Sequence, residues 1–180
     1  AFDVLQYIRN DLKLSPSVAT YNAVLNACEY FVPHVKANKY KNNNNGDDNH
    51  DDGGGGGRIN KQIYQYDDCY EVEYQRAFKT ACEVLSNMRN DAASNKWAHP
   101  DSITYSSFLG ICNNLLPHGE LRDNMVRVMF RSCCKSGKTN LLVIRALKAA
   151  ASNEVWNELV GEYPSEREFP KEWSKNCKRR

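Results

Sequence analysis

Tyr21, Val24, Leu25, Cys28 and Phe31 stand at i, i+3, i+4, i+7 and i+10, and Tyr105, Phe108, Leu109, Cys112 and Leu115 repeat that spacing. Apolar residues at this period share one face of an α-helix. A second kind of helix reads Ala77, Ala81, Val84, Leu85 and Met88, and Leu121, Met125, Val128 and Met129 reproduce its first four positions. Ala1 to Ile8 also reads as helix, and Leu141 to Ala150 forms another after the stop signal Ser136-Gly137. Asp68 and Glu71 fit a capping-box start for the long helix in the middle of the chain. No run alternates with period two. The prediction is an all-α chain of six or seven helices, without a sheet.

Between the two patterned flanks the chain changes character. Ala37 to Asn60 reads ANKYKNNNNGDDNHDDGGGGGRIN. Runs of Asn, Asp and Gly bury too little apolar surface to offset their ordering entropy, so residues 36–62 are expected to be disordered. Asp47, Asn49 and Asp51 have the spacing that opens a calcium loop. Such a loop then needs Gly at its sixth position and Glu at its twelfth, where Asp52 and Arg58 stand. The insert therefore reads as a solvated linker.

With the insert removed, the flanks resemble each other. FDVLQYIRND (Phe2 to Asp11) aligns with CEVLSNMRND (Cys82 to Asp91), and SPSVATYNAVLNAC (Ser15 to Cys28) aligns with HPDSITYSSFLGIC (His99 to Cys112). The offset is 80 in the first block and 84 in the second, which places four extra residues in the turn that holds Trp97. Repeats in fixed order imply a stacked array, each unit burying its apolar face on the next.

Composition narrows the function classes. The 180 residues carry a net charge of +2, and no apolar run is long enough for a membrane span. Residues 120–150 nevertheless hold seven basic side chains against two acidic ones. Arg127, Arg131, Lys135 and Lys138 fall at helical spacing, either a solvated face or a phosphate-contacting stripe. The seven cysteines form no C-x-x-C pair, and Cys28, Cys82 and Cys112 occupy apolar positions, as small buried residues of a reduced protein do. Ser136 to Thr139 looks like the end of a phosphate-binding loop. The required earlier glycine is replaced by Ser132, and a helix precedes it where a strand is needed. His34, His50, His99 and His118 are scattered without ligand spacing. No catalytic residue, metal site, cofactor or small-molecule substrate is expected. No leader segment is legible before the first helix, and the chain reads as a C-terminal fragment of a longer one.

Both repeats open alike: Pro16, Thr20, Tyr21 and Asn22 in the first, and Pro100, Asp101, Thr104, Tyr105 and Ser106 in the second. Each follows a helix ending in Arg-Asn-Asp. This pattern resembles the pentatricopeptide-repeat family, whose unit opens Pro-Asp-x-x-Thr-Tyr-Asn. Arg131 to Gly137, Leu141 to Ala151, Trp156 and Pro170 to Trp173 resemble the terminal cap of algal and diatom-type members. The resemblance covers about residues 1–150 and implies a right-handed α-solenoid of antiparallel, tetratricopeptide-like helix pairs. It divides the chain into a second helix of a truncated repeat (1–17), a repeat interrupted by the insert (18–101), a further repeat (102–140), capping helices (141–161) and a basic tail (162–180). The unit from Val18 to Asp101 has 84 residues, where helical repeats of this kind use about 35; the insert supplies most of the excess.

The resemblance also implies sequence-selective binding of single-stranded RNA, one base per repeat. In the family, the residue after Thr-Tyr and the last residue of the unit read the base. Those positions are Asn22 with Asp101, a uridine-type combination, and Ser106 with Asn140, an adenosine-type combination. Ala19 and Ile103 would sandwich the bases, and Tyr21 and Tyr105 belong to the core stripe. Other protein subunits and a mitochondrial or plastid setting come with the same resemblance. The competing reading is a tetratricopeptide-like scaffold for protein partners. It calls for large or charged residues in the groove, in place of short polar ones after Thr-Tyr.

Overall fold

The computed structural model describes residues 2–43, 60–163, 165 and 168–177, with side chains described in 2–30 and from 72 onward. Seven α-helices run through them: α1 (Phe2–Asn10), α2 (Val18–Asn43), α3 (Asn60–Ala92), α4 (Ser102–Leu115), α5 (Glu120–Ser136), α6 (Leu141–Ala150) and α7 (Asn153–Val160). A short 3-10 helix, Lys171–Ser174, follows. No strand occurs among the described residues, so the chain is all-α as its periodicity requires. None of the described helices is long and apolar enough to cross a membrane.

Two boundaries differ from the expectation. The long middle helix starts at Asn60, so Asp68 and Glu71 lie inside it and not at its start. Helix also continues into both margins of the insert, to Asn43 on one side and from Asn60 on the other. Asp47, Asn49, His50 and Asp51, like the basic residues 178–180, lie outside the described residues.

The core follows the two sequence stripes where they are strongest. Tyr21, Val24, Leu25 and Cys28 on α2 are buried, as are Tyr105, Phe108, Leu109, Cys112 and Leu115 on α4. Helix α4 packs against α2 on one side and α6 on the other, while α3 lies across α2 and α4. Helix α5 packs on α4, α6 and α7. On α3, Ala81, Val84, Leu85 and Met88 are buried as read.

On α5 the expected stripe is wrong by a fraction of a turn. Leu121 is 62% exposed and Val128 is also exposed, while Val126, Met129, Phe130 and Cys133 are buried. The cause is Arg122, which begins the true buried face. Its guanidinium is sequestered because it satisfies the C-terminal carbonyls of α6: Nε donates to the Ala150 carbonyl at 2.9 Å and Nη2 to that of Ala149 at 3.2 Å. Nη2 also donates to Asn113 Oδ1 at 2.7 Å. A cation at the C-terminal end of a helix meets orphan carbonyls and the negative end of the helix dipole.

Two tyrosines tie helix pairs together. The Tyr21 hydroxyl donates to Asp91 Oδ2 at the end of α3, and Arg9 on α1 holds Oδ1 of that carboxylate at 3.1 Å. Burial, with the Asp91 bond next, pushes the Tyr21 hydroxyl pKa above its ordinary value. Tyr105 reaches Ser136 and Ser132 on α5, at 3.0 and 3.4 Å, from the equivalent place on α4.

The described residues of 162–177, a stretch expected as a basic tail, are more organised than that description. Trp173 packs edge-on against Phe130 of α5, with ring centroids 5.5 Å apart, and Tyr163 and Phe169 complete an aromatic cluster around it. The chain then pairs with the α5–α6 turn: Thr139 N–H donates to the Trp173 carbonyl at 2.7 Å, and Asn176 N–H to the Gly137 carbonyl at 2.9 Å.

Gly137 makes that turn possible. It ends α5 in the left-handed region at φ 66°, where an L side chain costs about 1–2 kcal/mol. A Cβ there would also lie 2.7 Å from Lys175 Cγ and 3.2 Å from the Glu172 carbonyl. Gly137→Ala is therefore expected to destabilise the protein by about 2 kcal/mol and lower its Tm by about 4–8 °C. Thermal melts followed by circular dichroism check this, and an unchanged Tm would show that the C-terminal segment does not depend on the turn.

Candidate nucleic-acid interface

The predicted base-reading and sandwiching residues lie at the starts of α2, α4 and α6. Three carbonyls fix the register. Ser17 accepts from Tyr21 N–H, Asp101 from Tyr105 N–H and Asn140 from Ile144 N–H, at 3.2, 3.1 and 3.0 Å. These are the first intrahelical bonds, so Ser17, Asp101 and Asn140 occupy the same capping position. The second helical residue is then Ala19, Ile103 or Leu142, and the fifth is Asn22, Ser106 or Arg145. Ala19 is exposed, Ile103 is 46% exposed and Leu142 48% exposed. The two sandwiching candidates are thus apolar groups facing solvent at equivalent places. Leu142 and Arg145 continue the row on α6. The sequence did not single them out, because α6 lacks the Thr-Tyr signal that marks the other two.

Asn22 and Asp101, 79 positions apart in the chain, meet directly. Asn22 Nδ2 donates to Asp101 Oδ1 at 3.1 Å, and Asn22 Oδ1 accepts from the Thr104 hydroxyl at 2.7 Å. Asp101 at the same time caps α4, its Oδ1 accepting from the Ile103 and Thr104 N–H groups, both at 3.0 Å. Thr104 closes the capping box by accepting from Asp101 N–H at 3.1 Å. Every described bond to this carboxylate ends on Oδ1. Asn22 is only 6% exposed, so its amide serves first to lock the start of α4 to α2.

The second candidate pair is not brought together in this way. Ser106 is buried and turns its hydroxyl back to the Ile103 carbonyl at 3.0 Å. Asn140 is exposed and caps α6, its Oδ1 accepting from Val143 N–H at 3.2 Å. The position opposite Ser106 that corresponds to Thr104 is Val143, which has no hydroxyl to offer.

Below the first turns, a polar seam continues between α2 and α4. The Ser107 hydroxyl donates to Asn26 Oδ1 at 2.6 Å, and Asn114 Nδ2 to the Glu29 carbonyl at 3.3 Å. The Glu29 carboxylate sits where a side chain on Gly110 would project, 2.2 Å from the position of its Cβ. Burial pushes the Glu29 carboxyl pKa above its ordinary value.

The four basic candidates are divided by their partners. Arg127 Nε and Arg131 Nη2 both grip Glu158 of α7, at 2.7 and 2.6 Å. Glu158 was not marked by the sequence, since nothing local connects it to α5. Lys138 Nζ donates to the Asn176 carbonyl at 3.0 Å, and Lys135 is exposed. Two guanidiniums on one carboxylate leave a net positive site, but a phosphate would compete with Glu158 for both.

Among the described residues no group of three or more His, Cys, Asp or Glu is placed to hold a metal ion. Burial pushes the thiol of Cys112 up to about 12, that of Cys133 to about 12 and that of Cys134 to about 11. At neutral pH these cysteines are protonated and poor nucleophiles. No family model, curated protein or solved structure matches the chain.

The seam generates two expectations. Asp101→Ala removes an N-cap and strands the buried Asn22 amide, so it should cost about 2 kcal/mol in urea unfolding; Asp101→Asn, which still caps, should recover most of that. Equal losses in both would show that the cap is not what matters. Glu29 binds its proton more tightly folded than unfolded, so it favours folding in acid, and that contribution is lost as the pH rises from about 4.5 through its folded pKa. Glu29→Gln should therefore match or exceed wild-type stability at pH 7 and flatten the decline above pH 4.5. Parallel pH profiles for the two proteins would contradict this.

Proposed function

We propose that the chain is part of a right-handed α-solenoid of the pentatricopeptide-repeat type, and that it binds single-stranded RNA across the first turns of α2, α4 and α6. One observation carries the reading. The two residues that the resemblance pairs for base reading, Asn22 and Asp101, lie 3.1 Å apart at the edge of a row of solvent-facing apolar residues. Nothing in the helical periodicity requires that meeting. Stacked first helices supply a regular spacing, apolar side chains at the second position can flank a base, and short polar groups beside them can bond its edge. The function is binding, with no chemistry performed by these residues, and an organellar role in RNA processing, stability or translation belongs to the same reading.

Asn22 retains one amide hydrogen and one lone-pair site beyond its two internal bonds, and Asp101 retains Oδ2. Those are the atoms available to a uracil edge. The basic stripe is secondary in this scheme, because Glu158 already engages Arg127 and Arg131.

A base-edge contact discriminates between nucleotides, whereas a phosphate contact weakens all sequences alike. Asn22→Thr keeps a short polar side chain but loses the amide's paired donor and acceptor. The expected outcome is a shift from uridine towards a purine at one register, worth about 1 kcal/mol by analogy with base-edge contacts. Arg131→Gln should lower affinity evenly for all oligonucleotides or leave it unchanged. Competition binding with oligonucleotides differing at one position decides. Equal losses for every base in Asn22→Thr would mean that Asn22 only supports α4. Absence of binding to any single strand would remove the reading and leave a protein-binding scaffold, a role that the exposed Val4 and Tyr7 on α1 would suit.

A further inference from the structure

Trp97 is 68% exposed, more than any other large hydrophobic side chain among the described residues. An indole left in water forfeits much of the gain that burial would give. The backbone around it is hydrogen-bonded on both sides. The Trp97 carbonyl accepts from Val18 N–H at 2.7 Å, and its own N–H donates to Asn95 Oδ1 at 3.0 Å. Asn95 Nδ2 in turn donates to the Pro16 carbonyl at 3.0 Å, and the next residue, Ala98, is completely buried. These bonds tie down the backbone that carries the exposed ring.

Its position relates to the row of apolar residues. Val18 is the first residue of α2, immediately before Ala19. In the following unit the carbonyl of Lys138 plays the corresponding part, accepting from the Ser102 hydroxyl at 2.6 Å beside Ile103. The two connectors therefore bond at equivalent points, the Trp97 carbonyl to Val18 just before Ala19 and the Lys138 carbonyl to Ser102 just before Ile103. Trp97 lies in the connector between α3 and α4, where the alignment of the two flanks places four extra residues. Lys96 Nζ lies 5.0 Å from the ring centroid, so a cation accompanies the aromatic face.

We propose that Trp97 is a stacking platform for an unpaired base of single-stranded RNA, at the register of Ala19 and Asn22, with Lys96 placed to meet the adjoining phosphate. The proposal rests on the RNA-binding reading above and adds a contact that the repeat pattern does not assign. Every base has a π face, so the contribution is to affinity and not to sequence choice. Alanine substitution of such platforms typically costs on the order of 1–3 kcal/mol per base, and the lower part of that range is about a tenfold change in Kd.

The test compares wild type, Trp97→Ala and Trp97→Phe in binding to uridine-rich and adenosine-rich oligonucleotides, with tryptophan fluorescence as a second readout. Expected are an about tenfold higher Kd in Trp97→Ala for every base, most affinity kept in Trp97→Phe, and quenching on binding that is lost in both variants. The side chain is exposed, so Tm should stay near that of wild type, which separates stacking from misfolding. If wild type binds and Trp97→Ala binds equally well, the platform is refuted while the RNA reading stands. A Phe variant as weak as the Ala variant would refute stacking in favour of a contact from the indole N–H. Wild type that binds no oligonucleotide would overturn both.

Discussion

Helix α4 is enclosed on almost every side, and the arrangement of the other helices follows from that enclosure. Thr104 to Leu109 are buried without interruption, then Ile111, Cys112 and Leu115. A helix buried all round cannot be covered by one partner; α2, α3, α5 and α6 each contact it. Its polar residues decide which neighbour lies where. Thr104 and Ser107 bond to α2, and Tyr105 to α5. No described buried side-chain nitrogen or oxygen lacks a partner, so the enclosure is achieved without stranded polar groups.

Small residues make the enclosure close. Ser106 and Ser107 on α4 let the flanking helices approach, and Gly110 leaves space for the Glu29 carboxylate. Close approach brings the capping residue of α4 within reach of Asn22, and the connector before α4 over the start of α2. The candidate interface is therefore a by-product of the seam. Residues that cap and align helices are also those presented at the ends where helices start in series.

What was legible in the sequence was local. The stripes of α2, up to Cys28 because the Phe31 side chain lies outside the described residues, and of α4 show as spaced apolar letters, and Gly137 shows as a helix stop; these are where they were read. The stripe of α5 was misplaced because a buried arginine interrupts it, and the carbonyls that justify Arg122 belong to α6. The meeting of Asn22 with Asp101 came from a family pattern, and its burial did not, because burial depends on Thr104 across the seam. Glu158 and the packing of Trp173 on Phe130 were invisible for the same reason: each gains its meaning from a partner about 27 to 43 residues away.

On the proposed reading, capping also limits what the interface can read. Asp101 and Asn140 each accept from backbone N–H groups of the first turn, a task that favours Asp, Asn, Ser or Thr. Each of these offers a different remainder once the cap is made. Asp keeps a second carboxylate oxygen, an acceptor only. Asn keeps an amide NH2, a donor. Ser and Thr, with their one oxygen bound, keep a single hydroxyl hydrogen. On the proposed reading, an acceptor left over at Asp101 suits the N3–H of uracil, and a donor left over at Asn140 suits an acceptor on a purine edge. On that reading the helix start favours a small alphabet at the base-reading position, since side chains outside it forfeit the cap, about 0.5–2 kcal/mol.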